Sequence, residues 1–127
     1  MSLNKNRILV TGSTGCIGSH AVDLLLGEGN REVFGFNRSV PKGGSERDGY
    51  HLIAGDLADP VSVEQAVLEV APTHVIHLGA LQTPDCRDFP MKGMEVNVLG
   101  TANLFKACTK LNQSPERFVF ASSSAVN

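Results

Sequence analysis

The chain has 127 residues, 42% of them apolar and 19% charged, with a formal net charge of -2. That is enough for one domain with a real core, and it is an ordinary globular balance. No dense Lys/Arg cluster marks a nucleic-acid track, and no apolar run approaches the length of a membrane span.

The start "MSLNKNR" passes straight into a strand pattern and leaves no room for a signal peptide. Cysteines stand at 16, 86 and 108. Their odd number and the lack of any CxxC or Cys/His grouping point to reduced thiols in a cytoplasmic protein. No close set of ligands forms with His20, His51, His74 or His77, so no metal site is expected.

In chain order, "RILVTG" (7–12) is a short apolar run ending in glycine and reads as a buried strand. From Ile17 the period becomes helical, with Ile17, Ala21 and Leu25 as the stripe, Val22 and Leu26 beside it, and "GEG" (27–29) as the stop. "EVFGFNRS" (32–39) is the second strand. "PKGGSERDG" (41–49) is a loop by composition. "YHLIAGDL" (50–57) is the third strand with its exit. Asp59 followed by Pro60 looks like a helix cap with proline in the first turn, and Val63, Ala66, Val67 and Val70 form the stripe of that helix.

"HVIHLGA" (74–80) is the fourth strand. A polar segment follows, then a helical stretch over 95–111 with Leu104, Ala107, Cys108 and Leu111 as its stripe. "RFVFASS" (117–123) is the fifth strand. Near-continuous apolar strands separated by amphipathic helices imply a parallel sheet covered on both faces. Right-handed crossovers make the fold α/β, a doubly wound parallel sheet of five strands in the order 3-2-1-4-5. No second domain is visible within 1–127.

The sharpest motif is "TGSTGCIG", with Gly12, Gly15 and Gly18 at intervals of three between a strand and a helix. Gly12 permits a tight turn. Gly15, lacking a Cβ, lets a pyrophosphate approach the backbone. Gly18 lets the helix lie near the sheet, and the free N–H groups of the helix start face the phosphates. A P-loop is excluded, because no Gly-Lys-Ser/Thr follows. Cys16 reads as a medium-sized side chain that packs in the turn, the alternative being a reactive thiol favoured by the helix N-terminus.

This spacing resembles the NAD-dependent epimerase/dehydratase group, the extended branch of the short-chain dehydrogenase/reductase superfamily, whose cofactor domain is Rossmann-like. "AGDLAD" (54–59), "VIHLGA" (75–80), "NVLGT" (97–101) and "ASSSAV" (121–126) resemble further elements of the group, in the same order. The resemblance spans 7–127.

Several site residues follow from the resemblance. Thr11, Gly12, Gly15, Cys16, Ile17 and Gly18 form the pyrophosphate turn. Asn37 stands where NAD-binding members carry an acidic residue for the adenosine ribose, and Arg38 and Ser39 follow it. Asp56 accepts from the adenine amino group with Leu57 beside the ring. Leu78, Gly79, Ala80 and Leu81 pass along the pyrophosphate and nicotinamide ribose, and Asn97 helps organise the cofactor side. The plain alternatives are a capping Asp56 and a helix-start or solvent-facing Asn97. His77, alone in an apolar strand, reads as structural.

An uncharged Asn37 beside a guanidinium removes repulsion of a 2′-phosphate and adds attraction, which points to NADP over NAD. The alternative is a solvated Arg38 with Asn37 still serving NAD.

The family transfers a hydride with a Tyr-x-x-x-Lys pair and a Ser or Thr that holds the substrate oxygen. Strand-to-serine spacing puts the catalytic serine at Ser123, with Ser122 and Ser124 as neighbours. The usual Val-Tyr-Gly is replaced by Val126 and Asn127. The only tyrosine is Tyr50, at a strand start with no lysine four residues on, so it is not the catalytic one.

The expectation is the N-terminal, cofactor-binding part of a longer oxidoreductase, inactive by itself. The family default substrate is a nucleotide sugar, and full-length members commonly form homodimers. Two alternatives remain: an NADP-dependent reductase or dehydrogenase of a small alcohol or ketone, and a non-catalytic NAD(P)-binding regulatory module.

Overall fold

The structure is a computed structural model that describes residues 6–40, 47–80 and 83–121. Leu81, Ser122, Ser123 and Ser124 fall outside these residues.

The elements run β1 (Asn6–Thr11), α1 (Cys16–Gly27), β2 (Arg31–Asn37), β3 (Tyr50–Ala54), α2 (Pro60–Val70) and β4 (His74–His77), followed by α3 (Thr83–Asp88), α4 (Pro90–Gly93), a π-helical segment (Met94–Leu99), α5 (Gly100–Thr109) and β5 (Arg117–Phe120). The five strands are all parallel, in the order β3-β2-β1-β4-β5. The expected topology is the observed one.

Alternation along β1 explains the two covered faces. Ile8 and Val10 point one way and pack with Val22 of α1, Val33 and Tyr50. Leu9 points the other way and packs with Val63, Ala66, Val67 and Val70 of α2, Leu104, Ala107 and Cys108 of α5, and Val75. Leu9, Val10, Val33, Val67 and Val75 are fully buried. Strands with apolar side chains on both faces need helices on both faces, and the alternating connections supply them.

The start of α2 follows its sequence signal. The Asp59 carboxylate accepts from the Val61 N–H at 3.1 Å, and Pro60 occupies the first turn. At the amino ends of the strands, Arg7 Nε donates to the Val70 carbonyl at 2.6 Å, which satisfies a free carbonyl of the last turn of α2. The Thr73 and Arg7 backbones also bond there.

Some local expectations are corrected. The buried side of α1 is Gly18 and Val22, with Leu25 and Leu26 partly buried, while Ile17 is 70% exposed. Cys16 is likewise exposed and does not pack in the turn. Gly18 is the residue of α1 that touches the strand exit. The strands are shorter than the apolar runs that announce them: β2 ends at Asn37, β3 at Ala54 and β4 at His77. Their next residues leave the sheet as loops.

The helix expected over 95–111 begins instead as the π-helical segment and becomes α-helical only at Gly100, and the preceding polar stretch holds α3 and α4. Gly100 lies against Leu57, where a Cβ would stand 2.9 Å from the Leu57 Cβ. No described helix is long and apolar enough to cross a membrane.

Candidate dinucleotide site

The carboxyl ends of β1, β2, β3 and β4 converge on one recess of about 290 Å³. It is lined by Gly12, Thr14 and Gly15 from the glycine turn, Phe36, Asn37 and Arg38 from the end of β2, Gly55, Asp56 and Leu57 after β3, Leu78, Gly79 and Ala80 after β4, and Val96. It lies where the strand order reverses between β1 and β4, the place where open α/β sheets bind ligands. A wider hollow of about 880 Å³ lies at the opposite end, between Thr73, Lys110 and Glu116, away from these residues.

The three glycines of the turn differ in what demands them. Gly12 has φ +69°, and a Cβ there would stand 3.0 Å from the Gly79 backbone. Only glycine adopts that conformation so close to another chain segment. A Cβ on Gly18 would fall 2.1 Å from the Gly12 carbonyl oxygen. The helix can therefore start against the strand exit only with glycine at 18.

Gly15 is different. Its backbone is extended, at φ -76° and ψ 179°, and a Cβ would meet nothing closer than the Gly12 oxygen at 3.4 Å. Packing within the chain does not require glycine there, and the space a Cβ would fill opens on the recess. No acidic residue lies in the first turn of α1, and no side chain caps it, so its N–H groups face an uncontested anion position. The turn fits a dinucleotide pyrophosphate.

Thr11 is fully buried and faces the sheet. Its Oγ1 accepts from the Leu78 and Gly79 N–H groups, each at 2.9 Å. It therefore shapes the far wall of the recess and does not line it. His77 is buried behind it, and burial lowers its pKa from 6.5 to about 4, so the ring is neutral.

Asn37 borders the recess with its side chain drawn into the glycine turn. Its Oδ1 accepts from Thr14 N at 3.2 Å and Thr14 Oγ1 at 3.1 Å. Arg38 and Ser39 are exposed beside it, and Arg38 alone of the two lines the recess. Asp56 lines the recess, and its Oδ1 accepts from the Ala58 N–H at 2.9 Å in a turn that precedes the Asp59 cap of α2.

Leu57 is mostly buried, and a Cβ on Gly79 would stand 2.9 Å from its Cδ1. That contact explains the small residue opposite it. Asn97 lies one residue beyond the recess, within the π-helical segment, and donates to Cys86 Sγ at 3.3 Å. Cys16 and Ile17 stand outside the recess, exposed at the start of α1. Ser123 lies outside the described residues.

Thr14, Phe36, Gly55 and Val96 also line the recess, and the sequence reading does not single them out. Thr14 and Gly55 sit inside quoted motifs and are within reach of the sequence. Phe36 and Val96 look like core residues in any pattern.

Comparison with known proteins agrees with this geometry. The model of the NAD dependent epimerase/dehydratase family matches residues 8–127. UDP-glucuronate 4-epimerase 3 of Arabidopsis thaliana is 32% identical over 94% of this chain and 30% of its own length. UDP-glucose 4-epimerase 3 of Oryza sativa subsp. japonica is 34% identical over 94% of this chain and 35% of its own. The structure of the Thermus thermophilus UDP-glucose 4-epimerase in complex with NAD superposes with a TM-score of 0.79 at 37% identity, covering 92% of this chain and 37% of that one. The chain thus spans about a third of the length of these relatives. With the glycine turn, the recess and the strand order all in place, the chain belongs to the NAD-dependent epimerase/dehydratase family.

Proposed function

We propose that this chain is the dinucleotide-binding part of an oxidoreductase that acts on a nucleotide sugar in the cytoplasm, and that it prefers NADP to NAD. The observation that carries the dinucleotide reading is Gly15. It is a glycine that internal packing does not need, at a helix start whose N–H groups have no side-chain cap. The nucleotide-sugar reading rests on the relatives, which are UDP-sugar epimerases by name.

The bound nicotinamide would supply hydride transfer. The chain's own residues bind and orient around it. The glycine turn over 12–18 receives the pyrophosphate, Asp56 and Leu57 flank the adenine, and the small Gly79 and Ala80 allow the nicotinamide ribose to pass close to β4. Ser123 would hold the substrate oxygen. Tyr50 cannot serve as the acid–base, because it is buried and its hydroxyl is 2.8 Å from Ser13 Oγ. The Tyr-x-x-x-Lys chemistry therefore has no source in these 127 residues, and the chain assayed alone with a UDP-sugar turns nothing over.

The NADP preference is supported by the absence of a carboxylate at 37 and by the Arg38 guanidinium at the rim. A 2′-phosphate there meets a guanidinium in place of the carboxylate that NAD-binding members carry at this position. Titration calorimetry of the protein with NADP and with NAD tests the reading. Tighter binding of NADP is expected. Tighter binding of NAD overturns the preference, and no binding of either overturns the site.

A further inference from the structure

Behind the glycine turn runs a buried chain of hydrogen bonds. The Tyr50 hydroxyl is 2.8 Å from Ser13 Oγ, Asn37 Nδ2 donates to Ser13 Oγ at 2.7 Å, and Asn37 Oδ1 accepts from both Thr14 N and Thr14 Oγ1. All three linking side chains are buried: Ser13 is 1% exposed, Tyr50 5% and Asn37 7%. Gly35 makes the room. A Cβ there would stand 2.1 Å from Ser13 Oγ and 2.9 Å from the Tyr50 hydroxyl.

Donor and acceptor roles fix the orientation of Asn37. The Thr14 N–H can only donate, so the oxygen of the Asn37 amide must face the turn. Its NH₂ then faces Ser13 and must donate to it. An amide oxygen has two lone pairs, and Thr14 uses both. The one acceptor on this side chain is therefore spent inside the protein. A ribose hydroxyl could donate to it only by displacing a Thr14 hydrogen bond.

We infer that Asn37 is a positioning residue, locked through Ser13 by Tyr50, and that it acts on the dinucleotide by clamping Thr14 and the glycine turn rather than by holding the adenosine-ribose hydroxyls. This rests on the dinucleotide reading above. It assigns a role to Tyr50 and Ser13, neither of which borders the recess, and it frees the ribose end for Arg38.

The test compares two ligands against three variants by calorimetry. The ligands are NAD and an NAD analogue whose adenosine ribose lacks both hydroxyls. A residue that holds those hydroxyls loses its effect when they are absent. A clamp does not. Asn37→Ala is expected to weaken both ligands by the same factor, about tenfold for two lost turn contacts.

Tyr50→Phe keeps the ring volume and removes only the hydroxyl. It should weaken both ligands about threefold to fivefold, the effect of one hydrogen bond. Because the chain acts as a unit, the double variant should bind no worse than Asn37→Ala alone. Thermal unfolding of each variant shows that it is folded, and Asn37→Ser replaces Asn37→Ala if the latter is not. An Asn37 effect seen with NAD and absent with the analogue overturns the inference. Fully additive effects of Tyr50→Phe and Asn37→Ala also overturn it. If the unaltered protein binds neither ligand, the dinucleotide reading falls first and this inference falls with it.

Discussion

Thr11 and His77 stand opposite each other on β1 and β4, with Thr11 Oγ1 2.6 Å from His77 Nδ1. The neighbours decide which group gives the proton. Thr11 Oγ1 already accepts from the Leu78 and Gly79 N–H groups, so its own hydrogen goes to Nδ1. Nε2 then carries the ring hydrogen and donates to Thr101 Oγ1 at 2.8 Å, and Thr101 donates in turn to the Asn97 carbonyl at 2.8 Å. One neutral imidazole thus ties the wall of the recess at Gly79 to the π-helical segment. A second ring proton would meet an oxygen with no lone pair left to offer.

A pH dependence follows from that arrangement. The pKa of His77 is about 4 when folded and 6.5 ordinarily, so the unfolded chain binds the proton first. Above the ordinary value His77 adds no pH dependence. As pH falls from about 6.5 to about 4 stability is lost, at no more than about 1.4 kcal/mol per pH unit for one proton, and below that the loss levels off. Urea unfolding between pH 7 and pH 4 measures it, with His77→Gln as the comparison. The variant should be less stable at pH 7 and should fall less steeply on acidification. Parallel curves would remove the buried neutral imidazole as the cause.

The glycine turn separates packing from binding. Gly18→Ala forces a Cβ to within 2.1 Å of the Gly12 carbonyl oxygen, so it should destabilise the protein by about 1–3 kcal/mol and also weaken dinucleotide binding. Gly15→Ala meets only ordinary contact at 3.4 Å, in a backbone conformation that alanine tolerates. It should leave stability within about 0.5 kcal/mol while lowering dinucleotide affinity about tenfold or more. Thermal unfolding and calorimetry on the same two samples decide this. Equal losses of stability would mean that Gly15 is structural after all.

Arg38→Ala addresses the rim. A guanidinium that meets a 2′-phosphate contributes a charge-assisted bond, so NADP affinity should fall about tenfold while NAD affinity changes less than about twofold. Equal losses for both dinucleotides would place Arg38 elsewhere on the ligand. No loss for either would make it a solvated surface residue.

Much of the architecture is legible in the sequence because it is periodic. The stripe of Val63, Ala66, Val67 and Val70 is buried as spaced, and the alternation of Ile8, Leu9 and Val10 names both covered faces. The α1 stripe is misplaced by about one position because glycine carries no hydropathy signal. Gly18 is the contact, and Ile17 merely precedes it. The π-helical segment is invisible because its widened turn leaves a pattern that a 3.6-residue period reads as ordinary helix.

The recess is legible where glycines and a carboxylate cluster at strand exits. Its backing is not. Ser13 and Tyr50 are 37 residues apart, and nothing local in either stretch announces that the two hydroxyls meet.

The parallel strands give the molecule two unlike ends. Gly12, Asn37, Gly55 and Gly79 gather where the strands finish. Arg7, Val70 and Thr73 fasten the chain where they begin. A strand of five or six residues holds the two about 17–20 Å apart. A fluorophore or surface tether attached near Lys110, on the fastening side, would therefore leave the entrance to the recess clear and keep its readout independent of the attachment. An attachment at the exposed Cys16 thiol would stand at the start of α1, beside the glycine turn itself.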